Sequence, residues 1–243
     1  MNVFAVYLRL YADCLKKAFK GIRKNLWTLL LPIGLNFLFF MMFLLLGALL
    51  RQASGFVIGF VMGAIFSAYL YFVSEVVQNG KASLSEFWKS LGAYFWSIMN
   101  VFFILFIFNL MFSYAIATNP HATTLRLALN FLILVLLNAV PEVLYQRGTY
   151  GFASIMESVR FIQENWIEWL IPHLLLGGAV YLLSPALLSV LVDNPLALIA
   201  LSLPAAIMGG LVLHVLMIFR GHLFEALNSS THRQRMFRYR GPQ

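Results

Sequence analysis

The chain has 243 residues, 61% of them hydrophobic and 11% charged, with a mean hydropathy of +0.84. A water-soluble domain carries about 45–50% apolar and about 25% charged residues, so this composition excludes one and requires a protein solvated by lipid. The formal charge of +8 comes from 17 Lys+Arg against 9 Asp+Glu at the edges of apolar runs, which points to anionic headgroups and not to nucleic acid; the single cysteine, Cys14, excludes an internal disulfide and a cysteine-rich metal site.

The first segment repeats Leu8, Tyr11, Leu15, Phe19, Ile22 and Leu26 at helical spacing, opposite Arg9, Asp13, Lys16, Lys17, Lys20, Arg23 and Lys24. That pattern predicts an amphipathic helix lying in the headgroup plane. The apolar run that follows, Leu26 to Leu50, exceeds the about 7–15 residues of a signal-peptide core and no small-residue cleavage site follows it, so it reads as a membrane span. Crossing a bilayer takes about 20 apolar residues. Runs over Gly55–Val77, Tyr94–Ala117, Leu125–Tyr145, Leu170–Val192 and Pro195–Phe219 bring the expected spans to six. A Ser83-x-x-Glu86 capping box opens a second interfacial helix presenting Phe87, Trp88 and Leu91. A third presents Ile155, Val159, Ile162 and Trp166 above Glu157, Arg160 and Glu164.

Counting Lys and Arg by side gives 15 on the side of both termini and two, Arg51 and Arg126, on the other, so both termini are expected in the cytoplasm. Trp27, Trp88, Trp96, Trp166 and Trp169 fall near the same ends, where an indole favours the headgroup layer. A shift of 140 positions places Asn25 on Asn165 and Pro32 on Pro172; a shift of 68 places Gln78 on Gln146, Gly80 on Gly148 and Ser90 on Ser158. The expected fold is therefore an all-α integral membrane protein with six transmembrane helices, arranged as three parallel hairpin repeats, each preceded by an amphipathic interfacial helix. The repeats are residues 3–79, 80–147 and 148–220 of a single membrane domain, and 221–243 form a basic cytoplasmic tail.

The order of a basic interfacial helix ending in Asn, Lys24-Asn25-Leu26-Trp27 and again Glu164-Asn165-Trp166, then an apolar span with an early Pro, resembles the six-span membrane domain attached to some glycerophosphodiester phosphodiesterases and related bacterial membrane proteins. The resemblance covers nearly the whole chain and implies the fold. It implies no catalysis, because the hydrolytic part of those enzymes is a separate soluble barrel.

Within the second span Gly55, Gly59, Gly63 and Ser67 form a small-residue ladder, a helix-packing face within the chain or between copies in a homo-oligomer. Glu75, Glu142, His173 and His214 come to similar depth near the basic ends of four spans. Together they have the donor types of a metal site or proton path, though equal depth is equally met by separate pairing with Arg147, Arg160 or neighbouring helices. Pro141 and Pro185 are expected to kink spans four and five, and Asn100, Asn109, Asn130 and Asn138 either line a cavity or bond across helices. Lys16, Lys17, Lys20, Arg23, Lys24, Arg233, Arg235, Arg238 and Arg240 are the expected headgroup contacts.

No nucleophile motif, metalloprotease motif or glycine-rich phosphate loop is present, and no cofactor is expected. The leading expectation is a non-enzymatic inner-membrane protein, a membrane subunit or scaffold for a membrane or cytoplasmic protein partner, in contact with anionic lipids. The alternative is a small transporter or lipid-handling protein with a polar pathway between the repeats. A membrane enzyme acting on lipid headgroups with the same Glu/His set ranks third.

Overall fold

Asn25 and Asn165 break the helix in the same way. Asn25 has φ −133° and Asn165 φ −132°, both non-helical, and each side-chain amide donates to the carbonyl four residues earlier, Gly21 O at 2.8 Å and Phe161 O at 3.2 Å. An Asn that takes the carbonyl its own turn needs stops the helix and lets the chain change direction. These breaks set the frame of the computed structural model, which describes residues 3–50, 54–182 and 195–238. All regular elements among the described residues are helical. In chain order they are α1 (Val3–Lys24), α2 (Leu31–Leu50), α3 (Ser54–Ser74), α4 (Phe87–Ala93), α5 (Phe95–Ala115), α6 (Ala122–Leu136), α7 (Val140–Arg147), α8 (Phe152–Leu182), α9 (Pro195–Asn228) and α10 (His232–Arg238). A 3-10 turn, Leu26–Leu30, joins α1 to α2, and a π-helical turn, Glu75–Asn79, ends α3. Gly80 and Gly148, at φ 66° and 62°, adopt the left-handed conformation that closes a helix.

Among the described residues five stretches are long and apolar enough to cross a membrane: Leu26–Leu49, Gly55–Asn79, Leu84–Ala115, Ala122–Arg147 and Pro204–Asn228. The sixth expected span, Leu170–Val192, starts within α8 and continues past residue 182, outside the described residues, as do Pro185 and Arg240.

The core is concentrated at one end. Leu70 and Phe72 of α3, Val76 of the π-helical turn, Val143 and Leu144 of α7, Phe161 and Trp169 of α8, and Ile218, Leu223 and Phe224 of α9 are buried together. Toward the other end Phe40, Leu44, Phe103, Phe106, Leu127 and Phe131 point outward, and α5 and α6 barely touch. Lipid tails are as apolar as these side chains, so nothing drives them inward there.

The arrangement of α1 corrects its expected single apolar face. Val6, Leu10, Cys14, Ala18 and Ile22 are buried, with α1 packed along α9, whereas Phe4, Leu8, Leu15 and Phe19 are exposed beside the exposed Lys16, Lys17, Lys20, Arg23 and Lys24. At the end of α1 a Cβ on Gly21 would come within 2.9 Å of Val76 Cγ1, so the helix meets the turn after α3 at a residue with no side chain. Tyr11 then reaches the Glu168 carbonyl at 2.9 Å, the group that Pro172, lacking an N–H, leaves free one turn along α8. Of the tryptophans expected in the headgroup layer, Trp88, Trp96 and Trp166 are exposed, whereas Trp169 is in the core and Trp27 stands edge-on to Phe72 and donates to Ala82 O at 3.4 Å.

Two outcomes test this packing. A Cβ on Gly221 would lie 2.5 Å from Tyr145 Oη and 2.6 Å from Val77 Cγ2. Gly221→Ala should therefore cost about 1–3 kcal/mol in thermal unfolding, while Gly47→Ala, whose Cβ meets nothing, should not destabilise. Burial pushes the Cys14 thiol up to about 12, so maleimide should label it only when α1 leaves α9; labelling at the rate of a free thiol would contradict the docking.

Candidate functional site

Pro141 interrupts the fourth span and turns two carbonyls outward at the junction of α6 and α7. Leu136 O accepts from Ser158 Oγ at 2.8 Å, and Asn138 O accepts from the Arg220 guanidinium. Glu142 follows in the first turn of α7, where the helix dipole favours a carboxylate, and its side chain is fully buried. Arg220 from α9 meets it in a fork: Nε donates to Oε1 and Nη2 to Oε2, each at 2.8 Å. Trp169 of α8 lies under the guanidinium at 5.3 Å and donates its indole N–H to Asn138 Oδ1 at 2.9 Å. Phe161 and Phe224 pack on the Trp169 ring. One ion pair and the ring beneath it thus join α7, α8 and α9. The fork satisfies both carboxylate oxygens, the condition under which a buried pair is tolerated.

A second polar group joins the first two apolar segments to α9. His214 Nε2 lies 3.0 Å from Thr28 Oγ1, and Thr28 spends its hydroxyl hydrogen on Asn25 O at 2.7 Å. His214 must therefore donate from Nε2 and accept at Nδ1, where Tyr69 Oη stands at 3.4 Å. It is a neutral core histidine tying α9 to α3 and to the start of the first span.

At the surface of the same end, α10 folds back on the break at Asn165. Arg235, 4% exposed, donates from Nη2 to Asn165 Oδ1 at 2.9 Å and Glu168 Oε1 at 3.2 Å, and from Nη1 to Leu227 O at 3.0 Å and to Ser230 O. His232 Nδ1 adds a contact to Glu168 Oε1 at 2.9 Å. Burial raises the Glu168 carboxyl, but the His232 hydrogen bond and Arg235 outweigh it and hold it below the ordinary 4.5.

The four residues expected at similar depth are not brought together. Glu75 accepts from Asn79 Nδ2 at 2.8 Å, Glu142 is held by Arg220, His173 Nδ1 donates to the Trp169 carbonyl, and His214 bonds Thr28 and Tyr69. Among the described residues no three His, Cys, Asp or Glu side chains are placed to hold a metal ion. Glu142 and His214 are held by neighbouring elements, and Glu75 and His173 by groups of their own turn or helix. Arg235 is corrected from headgroup contact to interior anchor, while Arg233 and Arg238 are exposed. The glycine ladder packs at one end only: Ser67 bonds Ser90 O and Tyr94 N, a Cβ on Gly63 would strike Met99 Sδ at 2.7 Å, and Gly55 and Gly59 meet nothing. Of the four expected Asn residues, Asn138 bonds across helices, Asn109 donates to its own helix at Leu105 O, and Asn100 and Asn130 are exposed. Arg220 and Trp169 were missed as site residues; depth counting would have set Arg220 level with Glu142.

Fold and site together define a multi-pass α-helical membrane protein whose interior charges serve helix joining. No family model, curated protein or solved structure matches the chain.

Removing one partner of the fork should be far worse than removing both. Arg220→Ala should lower stability by about 3–5 kcal/mol in thermal unfolding, and Glu142→Leu with Arg220→Met should recover most of it. Glu168, whose folded value is depressed, stabilises above pH 4.5, and that contribution is lost as pH falls through the lower folded value. Acid titration followed by intrinsic fluorescence should show this loss in the parent chain and not in Glu168→Gln.

Proposed function

We propose that the protein is a non-enzymatic subunit or scaffold of the cytoplasmic membrane, built of three parallel hairpins, with both termini and all three interfacial helices on the cytoplasmic side. The observation that carries this reading is the closure of Glu142 by Arg220, Asn138 and Trp169. A transport pathway needs polar groups turned to a common passage, and here the strongest polar groups at membrane depth are spent on holding helices together. The exposed row Phe4, Leu8, Leu15 and Phe19 beside the α1 lysines suits a helix held half in anionic lipid, leaving the basic face and tail for a partner.

The threefold organisation is supported by a recurring hydrogen bond. Gln78 donates to Tyr145 O at 2.7 Å, and Gln146, one residue after Tyr145, donates to Gly221 O at 2.8 Å. Val77, Tyr145 and Gly221 meet at this point, each followed by a side chain able to donate: Gln78, Gln146 and His222. Two of the Asn breaks add to it. Asn25 ties its hairpin's start to the segment after it through Ala82 N at 2.9 Å and Gly80 O at 3.1 Å, and Asn165 does so through Arg235. The charge bias of 15 against two supports the cytoplasmic orientation of both termini.

Native mass spectrometry on the protein extracted from its own host in mild detergent tests the reading. A stoichiometric protein partner, lost when Arg233 and Arg238 are changed to Glu, is expected. A chain that carries only lipid, with no protein partner at any detergent concentration, would overturn the scaffold role and favour lipid handling.

A further inference from the structure

A polar cavity of about 380 Å³ opens between the break at Asn165 and the turn that carries α10 back onto it. Its size falls in the range of small-ligand sites, about 300–1,000 Å³. Its walls include Glu164, Asn165, Asn228, Ser230, Gln234 and Arg235. The exposed indole of Trp166, next to Glu164 and Asn165 in the chain, marks this level as the headgroup layer.

Donor accounting shows what the cavity offers. Arg235 has five N–H groups; Nη1 and Nη2 are taken by Leu227 O, Ser230 O, Asn165 Oδ1 and Glu168 Oε1. Its buried Nε–H has no partner. Asn228 engages the protein through its oxygen, which accepts from Arg147, and Gln234 likewise through Oε1, which accepts from Thr231 N at 2.9 Å. Both amides therefore present NH2 donors. Opposite in sign stands Glu164, an exposed carboxylate on the same cavity. A guanidinium N–H and two amide donors suit a phosphate oxygen, and the carboxylate suits an ammonium a few bonds away.

We infer that this cavity binds a phosphoethanolamine group, with the phosphate on Arg235 Nε, Asn228 and Gln234 and the primary ammonium on Glu164. The site is independent of the scaffold role and requires only that this end of the bundle faces headgroups. A phosphoglycerol head has no ammonium and would meet Glu164 with a negative charge alone; a phosphocholine head has no N–H to give it. The group can come from the phosphatidylethanolamine headgroup or from free phosphoethanolamine.

The full chain, purified in mild detergent and exchanged into equimolar phosphatidylethanolamine and phosphatidylglycerol, tests this by native mass spectrometry of the retained lipid. The expected preference for phosphatidylethanolamine is about tenfold, corresponding to about 1.4 kcal/mol. Glu164→Gln, an exposed change that leaves the Arg235 contacts intact, should abolish the preference, and Glu225→Gln, an exposed carboxylate off the cavity, should keep it. In a parallel arm, free phosphoethanolamine is added to lipid-depleted protein and the thermal midpoint is read. A rise there identifies the free compound as a ligand; lipid preference without a rise identifies the headgroup. Equal retention of both lipids with no rise in midpoint, or an unchanged preference in Glu164→Gln, overturns the assignment.

Discussion

The cost of placing a carboxylate in a dry interior governs this structure. Glu142 has no water to turn to, and an unpaired charge there would cost several kcal/mol even after relaxation. Arg220 repays that cost with two parallel hydrogen bonds, and a guanidinium so engaged can lie in only one plane. That plane rests on Trp169, which in turn is fixed by its indole N–H on Asn138. Helices from the second half of the chain are thereby locked in register as well as in contact. Apolar packing alone would leave register loosely set, since one apolar side chain substitutes for another against lipid.

Backbone carbonyls released by proline are the second device. In a bilayer every peptide group needs a partner, and proline leaves the carbonyl four residues earlier without one. Pro172 frees Glu168 O, and Tyr11 of α1 takes it. The break ahead of Pro141 turns out Leu136 O and Asn138 O, and Ser158 and Arg220 take those. Each interruption of a span has thus become an attachment point for another element. The asparagines at 25 and 165 work in the same currency, stopping one helix and fastening the stop to a distant segment.

These polar joints lie at one end of the bundle, and so does the buried core. The far ends of α2, α5 and α6 carry large apolar side chains outward and pack little against each other. With no hydrophobic gain available within lipid, tight association appears where hydrogen bonds, small residues and interdigitating aromatics supply it. The structure is therefore firm where α1, the breaks and α10 gather, the end at which a partner or a headgroup would be met.

Composition, apolar run length and charge distribution determined the class of protein and the approximate limits of five spans, because the bilayer imposes those signals residue by residue. The asparagine stops and proline interruptions were also legible, since their chemistry is local. Which groups meet was decided only in three dimensions. Glu142 was visible as a costly residue, but its partner, 78 positions away, stood at the end of the third repeat and read as one more charge of the cytoplasmic side. Arg235 read as a headgroup contact for the same reason, because a charge count cannot tell an arginine facing lipid from one facing a carboxylate. The row Val6, Leu10, Cys14, Ala18 and Ile22 was hidden because apolar residues lie on both faces of α1, and hydropathy does not tell an apolar face met by another helix from one met by lipid.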